Sequence, residues 1–261
     1  MTHIMQEMTW PEVRDALEEV KLAIIPVGSH EQHGPHLAMS VDIAGAELFA
    51  RKLAEKTHPL CLLAPPLNFG ISIHHMPFPG TLTLQPETFE TVLLEVAASL
   101  QTHGIRRILV VNGHGGNQHA LATASVKMRR DLGIRMAYTL WPMLGGGKLG
   151  DLVKGRRIGH ACVFETSMMM HLRPDLVRQD ALAEGEMQPP IYGNVATAGI
   201  DGFVYWNELT ANGAFQGAPD ATAEAGEKIT EAALEKLAAF VTGFAEVAVD
   251  DSPGIIPKVS G

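Results

Sequence analysis

The sequence predicts an α/β protein with a mainly parallel sheet and helices on both faces of that sheet. Short continuous apolar runs alternate along the chain with longer segments of helical periodicity. Such runs are typical of strands buried on both faces, and their alternation with helices indicates βαβ units. The 261 residues show no internal repeat and no long linker. We therefore expect one domain over residues 1–261.

The first half of the chain predicts two strands, each followed by a helix. The run LAIIPV predicts a strand over Leu22–Val27, and helical periodicity begins at Asp42. Cys61–Ala64 predicts a second strand, which two prolines end. After a long loop, Glu87–His103 has the pattern of an amphipathic helix introduced by Pro86.

The second half continues the alternation and then becomes less regular. Strands are predicted over Arg107–Val111 and Ile134–Leu140, with a helix over Asn117–Arg130 between them. His160–His171 is expected to be helical, and Ala221–Phe244 closes the pattern with a long Ala-rich helix. The segment 184–212 holds Gly and Pro with few periodic apolar residues, so we expect a loop there, with at most short strands.

Composition excludes several classes of protein. A net charge of -9 argues against a general nucleic-acid binder. No apolar stretch reaches the roughly 18 residues of a membrane span, and the N-terminal sequence does not have the pattern of a signal peptide. Cys61 and Cys162 lie in apolar runs and are expected to be buried free thiols. We therefore predict a cytoplasmic protein without nucleic-acid or membrane partners.

Acidic and imidazole side chains are concentrated between Pro26 and Asp42, in PVGSHEQHGPHLAMSVD. This segment holds Glu31, His33 and His36, and it directly follows the first predicted strand. Two other polar loops follow strands: ISIHHM after the second and NGHGGNQH after the third. Because the carboxyl ends of parallel strands meet at one edge of a sheet, we expect all three loops to lie together there. Their chemically notable residues are Glu31, His33, His36, Asp42, His74, His75, His114 and Asn117.

The residue types at this edge point to a metal. Imidazole and carboxylate ligands suit Zn²⁺, Mn²⁺ or Fe²⁺, and the absence of a nearby Cys argues against a structural zinc finger. Glu31 and His33 are two apart, so they project to the same side of an extended backbone. Asp42 at a helix start is well placed to bridge two ions. The alternative is a non-enzymatic module whose NGHGGN loop cradles a phosphate, although the loop lacks the Lys and Ser/Thr of a P-loop.

Four motifs together resemble the creatininase (creatinine amidohydrolase) family: PVGSHEQHGPHLAMSVD, FPGTLTL, VVNGHGGN and HACVFETSMMMHLRPDLV. The resemblance runs from about Trp10 to the final helix. It implies a three-layer α/β/α sandwich, a metal-dependent hydrolase with two divalent ions, and assembly as a homo-oligomer, with hexamers known in the family. The NGHGGN motif indicates a member other than creatininase itself.

The resemblance also implies roles for individual residues. Glu31, Asp42 and His114 would hold one metal, and His33 would share Asp42 with the second metal. Creatininase has a further carboxylate ligand where this chain has Gly116. We expect Glu165 of the ETS motif to replace it. His160 resembles the proton-transfer histidine of the family, so His160 and Glu165 are the predicted catalytic residues.

Other residues are expected to support the site. His36 is predicted to orient Glu31 or His33 from behind, as metal ligands generally require. His74, His75 and Asn117 could support the ligands or contact substrate, and for the two histidines a plain surface position is equally open. Trp141 and Trp206 could line a pocket for a flat ring or belong to the core.

The predicted function is hydrolysis of a C–N bond other than a peptide bond, in a small-molecule amide of the formamide or lactam type, cyclic or linear, by a metal-activated water. Two divalent ions are the expected cofactors, with zinc favoured over manganese or iron. An alternative substrate class, also implied by the resemblance, is a keto-inositol or keto-sugar.

Overall fold

The computed structural model describes residues 2–148, 150–189, 191 and 202–249. Its centre is a sheet of four parallel strands in the order β2-β1-β3-β4. The strands are β1 (Leu22–Val27), β2 (Cys61–Leu63), β3 (Arg107–Asn112) and β4 (Arg135–Leu140). The predicted strands are confirmed to within one residue at each end.

Six α-helices surround the sheet in the described part of the chain. They are α1 (Trp10–Ala16), α2 (Val41–Lys56), α3 (Pro86–Thr102), α4 (Gln118–Lys127), α5 (Val163–Leu172) and α6 (Ala223–Ala245). The helix predicted over Asn117–Arg130 ends as a π-helical segment, Met128–Leu132. The loop predicted over 184–212 lies partly outside the described residues, since only residue 191 is described between residues 189 and 202. Its described part has one isolated bridge, between Met187 and Thr210.

Alternate strand residues point to opposite faces and build two separate cores. On one face, Ile24 and Leu109 pack against apolar side chains of α2, α5 and α6. On the other, Ile25 and Val110 pack against α1, α3 and α4. Layers of helix, sheet and helix result, which confirms the predicted α/β/α sandwich with a mainly parallel sheet. Trp141 belongs to the first core, where it stacks on Phe49 with ring centroids 4.3 Å apart.

The expected helix over His160–His171 begins later than predicted. The helix α5 starts at Val163, because Ala161 has a φ of +47°, in the left-handed region that helices do not use. His160 therefore lies in the loop before the helix. The cysteines Cys61 and Cys162 are free and buried, as expected. Within the described ranges, no helix combines the length and hydropathy needed to cross a bilayer.

Candidate metal centre

The loops that follow β1, β2 and β3 meet at one edge of the sheet, and Asn117 joins them. Its side-chain nitrogen donates to the carbonyl of Gly28 and to Asn112 Oδ1, both at 3.1 Å. Its side-chain oxygen accepts from the backbone N–H of Ile71 at 2.9 Å. One buried amide thus fixes the relative position of three segments that are far apart in sequence. Asn117 positions the loops that carry the candidate ligands.

His114 is oriented by a backbone carbonyl. Its Nε2 lies 3.0 Å from the carbonyl oxygen of Ile71, which can only accept, so Nε2 carries the hydrogen of the neutral ring. The other nitrogen, Nδ1, then presents a lone pair. It faces Glu31 Oε1 and Asp42 Oδ2, each at 3.2 Å. This is how a metal-binding histidine is usually held, with its second nitrogen bonded to a carbonyl or carboxylate.

The three facing atoms fit a cation. Glu31 Oε1 and Asp42 Oδ2 are buried and have no hydrogen-bond partner in the described structure. Buried acceptors without partners are costly unless a cation or a proton compensates them. In a tetrahedral zinc site with bonds of about 2.0–2.1 Å, neighbouring ligand atoms lie about 3.3 Å apart. The 3.2 Å separations from His114 Nδ1 therefore match that ligand spacing.

A second lone pair faces the other oxygen of Asp42. His33 Nδ1 lies 3.1 Å from the carbonyl oxygen of Glu31 and donates to it, so Nε2 carries the lone pair when the ring is neutral. That Nε2 lies 3.0 Å from Asp42 Oδ1 and 3.9 Å from Glu165 Oε2. Asp42 thus directs one oxygen toward His114 and the other toward His33. These atoms could hold two neighbouring ions with Asp42 between them.

Asp42 reaches this place because it stands in the first turn of α2, where backbone N–H groups favour a carboxylate. The loop after β3 passes directly over that turn. A Cβ atom at Gly113 would overlap the carbonyl oxygen of Asp42. Glycine is therefore required at this position for the helix start and the His114 loop to approach so closely.

Glu165 and His160 are brought together by the turn at Ala161. The backbone N–H of Ala161 donates to Glu165 Oε2 at 2.5 Å. The Ala161 carbonyl lies 3.1 Å from His36 Nε2, which also lies 3.1 Å from Thr166 Oγ1. His36 therefore supports the segment of His160 and Glu165, rather than Glu31 or His33, the residues that the sequence pointed to.

Further imidazoles surround Glu31. His75 Nε2 lies 3.3 Å and His160 Nδ1 lies 3.5 Å from Glu31 Oε1, and both rings are buried. His74 is half-buried, lines the adjoining cavity and stacks on His114 with ring centroids 5.6 Å apart. The structure thus brings every predicted site residue to one place, and neither His74 nor His75 is a plain surface residue.

The carboxylates attract positive charge to two of the rings. Burial disfavours a charged His33, but the carboxylate of Asp42 outweighs it and raises the pKa of His33 to about 9. Burial likewise disfavours a charged His114, whose pKa is nevertheless well above its ordinary value because of Glu31 and Asp42. A metal and a proton compete for the same nitrogen lone pair. The field that favours a proton here therefore also favours a bound cation.

The remaining groups have pKa values shifted in different directions. Burial raises the pKa of Glu165 to about 7. Burial also disfavours the charged form of Glu31, but the imidazoles of His114 and His75 hold its pKa well below the usual range. For His160, burial and then the charge of His33 lower the pKa well below the usual value, and burial lowers that of His75 to about 3. These two rings are neutral at pH 7.

Several supporting residues were not found from the sequence. Ser72 Oγ donates to Glu31 Oε2 at 2.5 Å, which satisfies the second oxygen of that carboxylate. Gln32 contacts both His75 and His160, and Asn112 fixes the backbone of His114. In the sequence, the only sign of a supporting role for Ser72 and Gln32 is that each lies within two residues of a predicted site residue. Trp206 lines the cavity beside the centre, one of the two positions considered for it.

The chain belongs to the creatininase family. A family model described as creatinine amidohydrolase matches residues 6–241. The creatinine amidohydrolase of Pseudomonas putida is 30% identical over 252 residues, which cover 89% of this chain and 93% of that protein. The relatives that match are named as an amidohydrolase and as a peptidase, which are hydrolases of carbon–nitrogen bonds.

Two other relatives have different names. The mycofactocin precursor peptide peptidase of Mycobacterium ulcerans (strain Agy99) is 35% identical over 191 residues, which cover 69% of this chain. The match spans 66% of that relative, just under two thirds of its length. The 3-dehydro-scyllo-inosose hydrolase of Thermotoga maritima is 37% identical over 111 residues, which cover 42% of this chain and 35% of the relative.

Solved structures of creatininase have the same fold. A manganese form aligns with a TM-score of 0.80 at 26% identity, over 94% of this chain and 100% of that one. A variant of the Zn-Zn type aligns with a TM-score of 0.80 at 27% identity, over 94% and 99% of the two chains. A variant complexed with creatine aligns with a TM-score of 0.81 at 26% identity, over 94% and 100%.

The Gly116→Ala variant tests how His114 is held. A Cβ atom at Gly116 would overlap both the carbonyl oxygen of Ile71 and His114 Nε2, the two atoms of the orienting hydrogen bond. We expect the affinity for Zn²⁺ to fall about 10–100-fold, as measured by calorimetric titration. The matched control is Gly115→Ala, where a Cβ atom would meet nothing within 4 Å. Equal affinities in the two variants would show that the Ile71 contact does not matter.

Proposed function

We propose that the protein is a metal-dependent amidohydrolase with two divalent ions at this centre. Glu31, Asp42 and His114 would hold one ion, and His33, Asp42 and Glu165 the other. The observation that carries the proposal is the placement of Asp42 between two imidazole lone pairs, each fixed by a backbone carbonyl. Membership of the creatininase family supports the same assignment.

In the proposed reaction, bound metals would supply an activated water and polarise the scissile carbonyl. His160 is neutral and is held with Nε2 against the carbonyl oxygen of Gln32 at 2.7 Å, so its Nδ1 can accept the proton of the attacking water. The same ring can then deliver that proton to the leaving nitrogen as the C–N bond breaks. The residues of the centre are mostly buried, and Trp206 lines the cavity beside them.

A hydrolase of a keto-inositol remains the second candidate. The Thermotoga maritima relative supports it, although that match covers less than half of this chain. The amide assignment has broader support, because the Pseudomonas putida and Mycobacterium ulcerans relatives match over 89% and 69% of the chain. The phosphate-cradle alternative is disfavoured, since the described residues that line the cavity include no Lys or Arg.

Zinc is the metal that we propose, with manganese or iron as alternatives. The His and carboxylate donors suit all three ions. Solved creatininase structures with manganese and with two zinc ions support the choice of divalent metals. We also propose a small-molecule substrate, which the creatine complex of creatininase supports. Finally, we propose that the protein is cytoplasmic and that it forms a homo-oligomer, specifically a hexamer.

Substitution of the bridging carboxylate tests the two-metal assignment. We expect the wild-type protein to bind about two zinc ions per chain, and Asp42→Ala to bind less than one, because both ions lose a ligand. Metal content after equilibrium dialysis is the measurement, and hydrolysis of an amide panel should be lost in parallel. The control is Asp175→Ala, an exposed carboxylate paired with Arg173. Two ions in Asp42→Ala, or full activity without metal, would refute the assignment.

A further inference from the structure

A cavity of about 500 Å³ opens from the metal centre toward the surface. That volume is within the range of sites that bind drug-sized ligands. Outside the histidines and acids of the centre, its wall is mainly apolar. The apolar side chains include Ile73, Met143, Ile158, Phe164, Phe203 and Trp206.

The aromatic part of this wall is fixed in position. Trp206 Nε1 donates to the carbonyl oxygen of Gly213 at 3.0 Å, and the ring stacks on Phe215 with centroids 4.8 Å apart. On its other side Trp206 contacts the rings of His75 and His160, at centroid distances of 4.5 and 4.9 Å. A rigid indole beside the reaction centre favours a flat or apolar substrate group.

Beyond the proposed metal ions and their ligands, the cavity has little to bind an anionic substrate group, because no Lys or Arg is among its described lining residues. At the mouth, Met143 and Phe203 are more than half exposed, so apolar surface continues outward from the centre.

We propose that the substrate is an amide with an uncharged apolar or aromatic group, and with no phosphate or carboxylate near the scissile bond. This proposal rests on the proposed amidohydrolase function. The metals would engage the amide, while the wall of Trp206 and Phe203 would bind the apolar group. A phosphate or carboxylate against this apolar wall would lose its hydration without gaining a cationic side chain from the described lining residues.

Hydroxamates bind metals without being turned over, so they separate the two proposals. For the zinc-loaded protein we expect benzohydroxamate to bind about tenfold more tightly than acetohydroxamate, because only the former has an aromatic group. We expect 4-carboxybenzohydroxamate to bind about tenfold more weakly than benzohydroxamate. Calorimetry measures all three. Tighter binding of the carboxylate compound would overturn the substrate proposal, whereas failure of all three to bind would overturn the metal centre itself.

A specificity variant gives an independent test. In Met143→Lys we expect the affinity ratio of 4-carboxybenzohydroxamate to benzohydroxamate to rise about three- to tenfold, because a cation now lines the cavity. The matched control is Met76→Lys, since Met76 is also exposed and is not among the lining residues. An equal change in the two variants, or none, would contradict the proposal.

A separate observation concerns Gln32, whose amide orientation is determined by groups of fixed character. The backbone N–H of Gly34 can only donate, and it lies 2.9 Å from Gln32 Oε1. The carbonyl of Gly213 can only accept, and Gln32 Nε2 donates to it at 3.2 Å. Gln32 Nε2 also lies 2.7 Å from His75 Nδ1. Since Nε2 is a donor, His75 Nδ1 must accept, so His75 carries its hydrogen on Nε2.

Gln32 also fixes His160, in the same Nε2–H tautomer but turned so that the other nitrogen faces Glu31. The backbone carbonyl oxygen of Gln32, which can only accept, lies 2.7 Å from His160 Nε2, so that nitrogen carries the hydrogen and Nδ1 presents the lone pair. Gln32 Nε2 also lies 3.0 Å from His160 Nε2, but its two hydrogens are directed to His75 and Gly213. His75 Nε2 and His160 Nδ1 both face Glu31 Oε1, at 3.3 and 3.5 Å. Beside Glu31 Oε1, His75 therefore presents an N–H donor and His160 presents an accepting lone pair.

We infer that Gln32 is a positioning residue that gives His160 the role of proton acceptor and His75 the role of hydrogen-bond donor. The proton of the attacking water would pass to His160 Nδ1 as the C–O bond forms, and from there to the leaving nitrogen as the C–N bond breaks. His75 would keep its proton on Nε2, which faces Glu31 Oε1 at 3.3 Å.

The Gln32→Glu variant tests this inference, because a carboxylate accepts where the amide donates. We expect ¹⁵N spectra of histidine-labelled, zinc-loaded protein to move the hydrogen of His75 from Nε2 to Nδ1, with His160 unchanged. The two rings are assigned from His75→Phe and His160→Phe spectra. The control is Gln179→Glu, which adds the same charge at an exposed position.

The tautomer is a readout that a merely structural role would not change. We also expect kcat to fall at least about tenfold, with metal content unchanged. An Nδ1 hydrogen on His75 in the wild-type protein, or a His75 signal that is identical in Gln32→Glu, would overturn the inference.

Discussion

The carboxylate of Asp42, buried between two imidazoles, is the interaction on which the rest of the site depends. Its oxygens lie 3.0 Å from His33 Nε2 and 3.2 Å from His114 Nδ1. When the rings are neutral, both nitrogens face it with lone pairs, because the second nitrogen of each ring donates to a backbone carbonyl. An arrangement of acceptors facing acceptors is unfavourable in a protein interior without compensating positive charge. The loops that follow β1, β2 and β3 converge at one edge of the sheet, and their convergence holds the carboxylate and the two imidazoles in this arrangement.

Rigidity around this carboxylate comes mostly from neutral backbone groups. Asn117 joins the loops after β1, β2 and β3, and the Ile71 carbonyl orients His114. Ala161, in a left-handed conformation, directs its N–H to Glu165 and places His160 outside α5. A centre built in this way has its ligands in place before a metal binds, so less of the binding free energy is lost in ordering side chains.

The sequence predicted the fold well, because strands buried on both faces have an unambiguous apolar pattern. Leu22–Val27 was located to the residue, and the strand-end rule correctly predicted that His114 would lie near Glu31. The strand-end rule predicts which residues lie close together, but it does not predict how their side chains are oriented. It could not show that His36 supports Ala161, because that contact depends on a local φ angle.

Gln32 and Ser72 were not predicted for a similar reason. An amide and a hydroxyl in polar loops carry no compositional signal, and their roles depend on which backbone groups come within hydrogen-bond distance of them. A structure of the zinc-loaded protein with anomalous diffraction tests the account most directly. We predict two zinc peaks on either side of Asp42, one bonded to His114 through Nδ1 and the other to His33 through Nε2. A single ion, or zinc bound through the opposite nitrogen of either ring, would contradict it.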